Sequence, residues 1–144
     1  MPTQNYANHR RFVVMYHVVL FGLLVVSLIG SLVNLYESIG DHQRIYSASL
    51  IVVLEVCLLL LFIFCRMFAL KAQDRAIRAE ENLRHFVLTG KLLDAGLSIR
   101  QIIGLRFASD GEFADLAQKA VREHLSEDEI KRAVKNWRAD TYRV

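Results

Sequence analysis

Cysteine, proline and glycine are scarce, at two, one and seven in 144 residues. Two cysteines cannot build a disulfide scaffold, and one proline excludes collagen-like or Pro-rich character. No spaced Cys/His set offers the four ligands of a structural zinc site. Charge is thin as well: 23% of residues are Asp, Glu, Lys or Arg, against 53% hydrophobic. That balance is too apolar for an ordinary soluble domain, and it rules out disorder for most of the chain. The shortage is also local. Charges vanish from two long windows and crowd elsewhere, the distribution that a membrane-spanning chain requires.

The first window, 12–36, reads FVVMYHVVLFGLLVVSLIGSLVNLY, 25 residues without a formal charge. At about 1.5 Å per residue it crosses a hydrocarbon layer of about 30 Å with some tilt. The second, 45–65, reads IYSASLIVVLEVCLLLLFIFC and is interrupted only by Glu55. Both predict transmembrane helices. A cleavable signal peptide does not fit the first, whose apolar run is too long and lacks a small-x-small cleavage site. The connection, 37–44, is short, so the two helices form an antiparallel hairpin.

Basic residues orient that hairpin. Arg10 and Arg11 precede the first helix, and Arg66, Lys71, Arg75 and Arg78 follow the second, whereas the connection holds Arg44 against Glu37 and Asp41. The excess places both termini in the cytoplasm, with Arg10, Arg11, Arg66, Lys71 and Arg75 anchoring at the headgroups. Phe12, Tyr16, Tyr36 and Tyr46 fall near the expected interfaces. Cys57 and Cys65 read as reduced, space-filling residues.

Glu55 is the informative exception, since a carboxylate at mid-bilayer costs about 2.5 kcal/mol or more. It must be protonated, paired or wet. In an antiparallel hairpin Ser27 lies within one turn of it and is a candidate partner. His17 sits deeper toward the cytoplasm, and Asn34 lies near the outer end. One reading makes Glu55 a neutral acid hydrogen-bonded across a helix interface, setting pairing or oligomeric register. The other makes Glu55 and His17 stations of a proton or ion relay. Gly22, Ser27, Gly30, Ser31 and Asn34, with Ser47, Ala48 and Ser49, predict close helix approach, either within the hairpin or to another molecule.

Beyond Cys65 no helix breaker occurs until Thr89-Gly90. The expected helix runs continuously from about residue 44 to 88 and leaves the bilayer as a cytoplasmic stalk, 66–90. The pairs Asp74/Arg78, Glu80/Arg84 and Glu81/His85, four residues apart with the acid first, suggest surface ion pairs. The remainder, 91–144, predicts a cap of short helices. Ser98-x-x-Gln101, Ser109-x-x-Glu112 and Ser126-x-x-Glu129 are capping boxes, marking helices near 99–107, 110–124 and 127–137. The cap is small for an independent core and should dock on the stalk or on a neighbouring chain.

Chemistry-bearing motifs are missing. No Gly-rich phosphate loop, G-x-S-x-G elbow or H-E-x-x-H is present. His85 and His124 lack partners at metal spacing, and Asp110, Glu112 and Asp115 read as first-turn acids rather than a catalytic pair. Residues 66–144 carry 15 Lys and Arg against 12 Asp and Glu, mixed along the chain. They offer no basic face for nucleic acid. The expectation is a non-enzymatic protein with no catalytic residues, metal or cofactor.

Several stretches carry a resemblance: Asn5-Tyr6-Ala7-Asn8-His9-Arg10, Ala69 through Arg78, Leu105 through Asp110, Ile130-Lys131 through Asp140, and Tyr142-Arg143-Val144. In these the chain resembles a family of small bacterial inner-membrane proteins of unknown function, associated with Bacteroidota. The resemblance implies two membrane helices and a helical cytoplasmic tail, with no activity to carry over. Asn8, His9, Gln73, Asp74, Arg106, Asp110, Trp137 and Arg138 are its candidate stalk–cap docking residues, with Arg106 pairing an acid of 73–81.

Together these readings describe an all-α membrane protein: N-terminus 1–11, membrane helices 12–36 and 45–65 joined by 37–44, stalk 66–90 and cap 91–144. The expected role is an oligomerising or accessory subunit of an inner-membrane assembly, acting through stalk and cap. Its partners are the lipid bilayer and a homo-oligomer or larger complex, and not nucleic acid. The alternative is a proton- or ion-conducting homo-oligomer that uses Glu55.

Overall fold

The computed structural model describes residues 4–9 and 11–140. Arg10 and the closing Tyr142-Arg143-Val144 therefore lie outside the described residues. Among those described the chain is all-helical. A π-helical stretch Met15–Leu20 leads into α1, Phe21–Glu37, followed by α2, His42–Thr89; α3, Ile99–Leu105; α4, Asp110–Arg122; and α5, Glu127–Ala133. Among the described residues, extended pairing is confined to an isolated bridge between Ala108 and Trp137.

The chain divides into two compact units. One is Phe12–Phe68; the other joins the first eleven residues to Ala69–Val144. In the first unit, Tyr16 meets Phe62 and Ser27 meets Glu55. Partners descend along α2 as they ascend along α1, which is antiparallel packing. Close approach is made at small side chains: Ser31 and Ala48 are only 6% and 1% exposed. At the connection the Ser38 hydroxyl donates to the Asn34 carbonyl, 2.7 Å away, and Gly40 takes φ +98°, open to glycine without Cβ strain. Asp41 then starts α2 by accepting the N–H groups of Gln43 and Arg44 at 3.0 and 3.2 Å.

The expected first helix began at Phe12, but helix begins only at Met15 and its opening turns are of π type. The Phe12 ring instead stacks on His17, with centroids 4.7 Å apart. For α2 the expectation of one uninterrupted helix matches its 48 residues, about 72 Å of rise. It stops where Gly90 turns to φ +73° and its N–H donates back to the Phe86 carbonyl at 2.8 Å.

In the second unit each short helix opens on its Ser. Ser98 and Gln101 cap reciprocally, as do Ser126 and Glu129, and Glu112 accepts from the Ser109 N–H. Their ends fall earlier than expected, at Leu105, Arg122 and Ala133. The last is the largest difference. Val134 swings to an extended conformation, and the N–H groups of Lys135 and Asn136 donate to the Glu112 carboxylate rather than to a helix carbonyl. This frees Trp137 to bridge Ala108. The core gathers Leu93, Leu97, Ile102, Leu105, Phe107, Phe113, Leu116 and Ile130 around Ile77 of α2. A small helical segment thus completes its core on the end of a long helix. Phe107 and Phe113 are 1% and 0% exposed, each contributing about 1.5–3 kcal/mol of burial.

Candidate functional site

Within the first unit the Ser27 hydroxyl donates to a Glu55 carboxylate oxygen at 2.9 Å. The polar residue of α2 therefore meets the serine of α1 that the antiparallel register selects. His17 lies elsewhere. Its Nδ1 is 2.9 Å from the Val13 carbonyl, and ten residues, about 15 Å of helix, separate it from Ser27. A direct Glu55–His17 step is beyond reach in one chain. Next to His17, Tyr16 reaches the second helix, its ring stacked on Phe62 with centroids 4.4 Å apart while its hydroxyl donates to the Phe62 carbonyl at 2.5 Å. The Arg66 guanidinium lies 5.7 Å over that same tyrosine ring. Asn34 is half-buried and contributes its backbone carbonyl to Ser38. Lys71 and Arg75 are exposed on α2.

The docking residues belong to the second unit. Arg84 of α2 donates to Asp110 and to the Ala108 carbonyl, both at 2.7 Å, and to Glu81 at 3.0 Å, while its guanidinium lies 4.3 Å over the Phe113 ring. Arg106 reaches Asp140 at 3.1 Å and Glu80 at 3.5 Å, and Arg138 approaches Glu81 at 3.7 Å. Arg106 thus pairs with an acid of the 73–81 stretch, and that acid is Glu80. Asp74 is half-buried on α2. Trp137 packs on Phe107, with centroids 4.9 Å apart, and on His9.

These contacts replace the surface ion pairs expected along α2. Arg84 turns to Glu81, three residues back, and to the cap; His85 turns to the Lys91 carbonyl at 2.7 Å; Arg78 turns to the Leu97 carbonyl at 3.4 Å. Cap backbone carbonyls compete with the local acids because the cap is packed against this face.

Glu81 is the buried centre of the network, 2% exposed. Burial pushes its carboxyl above the ordinary value, against the pull of the Arg84 hydrogen bond and of Arg84, Arg138 and Arg106. Glu112 goes the other way. Desolvation raises it, but the N–H groups of Asn136, Lys135 and Ser109 together outweigh that and hold it below its ordinary value.

A second contact layer comes from the N-terminal segment. Gln4 and Asp140 exchange hydrogen bonds, the shorter being the Asp140 N–H to Gln4 at 2.7 Å. The Tyr6 hydroxyl donates to Asp128 at 2.6 Å and accepts from Arg132 at 3.2 Å. His9 packs against Phe107, and its Nε2 lies 3.3 Å from the Lys131 ammonium. Arg11 lines an open cleft of about 750 Å³ with His9, Arg100, Glu127 and Lys131.

Sequence reasoning named Asn8 and His9 but passed over Gln4, Tyr6, Glu81, Arg84 and Asp140 as docking residues. Glu81 had a signal: it lies four residues from Ile77, so it shares the apolar face, and an acid there needs a cation. Tyr6 had none, since its partners lie more than 120 residues away. Among the described residues no three His, Cys, Asp or Glu side chains gather as a metal-binding group.

Geometry and composition define an all-helical protein in which α2 and the stretch Met15–Glu37 are each long and apolar enough to cross a membrane. The chain belongs to the family of unknown function DUF6526, whose model matches residues 1–144. No curated protein and no solved structure matches it.

Proposed function

We propose that the chain is an integral protein of a bacterial inner membrane. In this reading α1 and the first half of α2 cross the bilayer as a hairpin, and both termini lie in the cytoplasm. It acts there without catalysis, as a self-associating or accessory subunit whose stalk and cap form the contact surface.

One observation carries the membrane reading. Large apolar side chains cover the outside of the Phe12–Phe68 unit: Leu23 is 63% exposed, Val26 68%, Leu54 58% and Leu61 57%. A core helix of a soluble protein would bury such residues, and water does not tolerate a contiguous apolar surface of this extent. Lipid does. The Ser27–Glu55 bond supports the structural reading of the intramembrane acid, since a carboxyl within a hydrogen-bonded helix pair has a partner without any conduction path.

Membranes expressing the full chain, in a Cys57→Ser/Cys65→Ser background, test this. The protein should resist alkaline carbonate extraction. Ile39→Cys should react with an impermeant maleimide on spheroplasts, and Ala95→Cys only after lysis. Release into the carbonate supernatant, or the reverse labelling, would defeat the reading. In detergent the mass should exceed that of one chain. A strict monomer without a co-purifying partner would remove the assembly role, and proteoliposome proton flux abolished by Glu55→Gln would replace it with conduction.

A further inference from the structure

The stretch 69–89 of α2 has two faces. One is committed to the cap: Ile77, Glu81 and His85 are buried, and Arg84 donates into the cap. Ala69, Ala72, Ala76, Ala79, Leu83 and Phe86 form the other, and all six are exposed. Their spacing alternates three and four residues throughout, the 3.5-residue period of a coiled-coil seam. Ala69, Ala76 and Leu83 take the a positions; Ala72, Ala79 and Phe86 take d. The phase is informative. It puts Ile77 and Arg84 at b, His85 at c and Glu81 at f, opposite the seam, while Glu80 at e and Asn82 at g, which also reach the cap, flank it.

Two further features distinguish this face from a run of small residues on a solvated helix. Leu83 and Phe86 remain 64% and 51% exposed, large apolar groups that solvent alone does not favour. The flanks also carry complementary charge. Arg75 is at g and Glu80 at e, five residues apart, the spacing at which g of one helix meets e of the next heptad on a parallel, in-register partner. Arg75 is exposed, and the Glu80 side chain is 59% exposed while lying 3.5 Å from Arg106, which holds it at the rim of the seam.

We infer that this seam docks against the same seam of a second copy of the chain, as a parallel, in-register pair of α2 helices with two symmetric Arg75–Glu80 ion pairs. The inference rests on the membrane reading above, which supplies the direction: two copies inserted with one orientation present parallel α2 helices. Alanine at four of six seam positions permits an interaxial distance near the short end of about 8–10 Å. The seam covers about two and a half heptads, marginal for free peptides. Here the helix is already ordered by its cap, so docking costs little conformational entropy, and confinement to one membrane raises the effective concentration.

The full chain in native membranes, with Cys57→Ser and Cys65→Ser, provides the test. Mild oxidation should cross-link Ala76→Cys and Ala79→Cys into a species of twice 16.5 kDa, but not Lys71→Cys, which is exposed at a c position. Leu83→Ser should lower cross-linking by about tenfold, the equivalent of one buried side chain, and Arg75→Glu by a few-fold, as expected for exposed ion pairs turned repulsive. Equal cross-linking at Lys71→Cys, or none at the seam, overturns the proposal. A multimer in detergent without seam cross-links keeps the assembly reading and discards this surface. Seam cross-links in a chain that carbonate extracts keep the surface and discard the membrane reading.

Discussion

Ser27 and Glu55 meet at 2.9 Å, from two helices of which the first ends ten residues after Ser27 and the second starts thirteen residues before Glu55. The serine hydroxyl is the donor, so an acceptor oxygen at position 55 suffices for the bond and a formal charge does not. Glu55→Gln should therefore leave the melting temperature in detergent nearly unchanged, because the amide retains an acceptor. Ser27→Ala should lower stability by about 0.5–1.5 kcal/mol, as expected for one interhelical hydrogen bond. Equal losses in both variants would mean that the carboxylate charge itself is required.

Arg84 makes more docking contacts than any acid around it: Glu81, Asp110, the Ala108 carbonyl and the Phe113 face. Removing it leaves the buried Glu81 carboxyl with only the longer Arg138 contact at 3.7 Å, and breaking one partner of a buried pair costs up to about 3–5 kcal/mol. Arg84→Ala should expose residues 91–140 to limited proteolysis. Arg84→Lys should give intermediate protection, since an ammonium cannot serve the forked acceptor set. Asp110→Ala, whose side chain is 68% exposed, should have a small effect.

The division between legible and hidden features follows from the range of the interactions. Hydrophobic windows and capping boxes are local, so α1, α2 and the starts of α3, α4 and α5 could be read from neighbouring residues. Helix ends were less legible. The end of α5 at Ala133 depends on Glu112, more than twenty residues earlier, taking the N–H groups of Lys135 and Asn136. The Ser27–Glu55 bond was legible because antiparallel geometry turns residue number into depth. The Arg84 network was not, because a local rule assigned Arg84 to Glu80 whereas tertiary packing gave it Glu81 and Asp110. The seam on α2 emerges only after the opposite face is known to be covered by the cap.

Glu81 and Glu112 should shape acid stability in opposite ways. The Glu112 carboxyl sits below its ordinary 4.5 when folded, so its contribution is full above 4.5 and is lost as pH falls through the folded value. Glu81 sits above 4.5 when folded; its contribution is full below 4.5 and declines as pH rises through its folded value. Denaturant titrations of the full chain should show Glu112→Gln flattening the acid limb below 4.5. Glu81→Gln should flatten the slope above it.

Tyr6 ties the N-terminal segment to α5 through its hydroxyl, donating to Asp128 and accepting from Arg132, and through its ring, which lies 5.2 Å from the Arg132 guanidinium. The Asp128 carboxyl is held below its ordinary value first by that Tyr6 hydrogen bond. Tyr6→Phe keeps the ring over Arg132 but deletes the bond. Amide exchange at residues 4–9 should accelerate, with the α3–α5 core unaffected. Unchanged exchange would show that Gln4 and His9 suffice to hold the segment.

Gly104 marks a close approach of α3 to α5. A Cβ built there lies 3.0 Å from the Glu127 carbonyl oxygen and 3.2 Å from two side-chain carbons of Ile130, which is fully buried. Neither neighbour can withdraw cheaply: one is backbone at the start of α5, the other is held by the core. In an open helix Gly→Ala gains up to about 1 kcal/mol from propensity. Here overpacking costs about 1–3 kcal/mol, so the balance should fall on destabilisation. Gly111→Ala is the control, because nothing lies within 4 Å of its Cβ position, and in the first turn of α4 it should be neutral or stabilising. Thermal melts should show Gly104→Ala lowered and Gly111→Ala unchanged or raised. A stabilised Gly104→Ala would mean that α3 and α5 are free to separate.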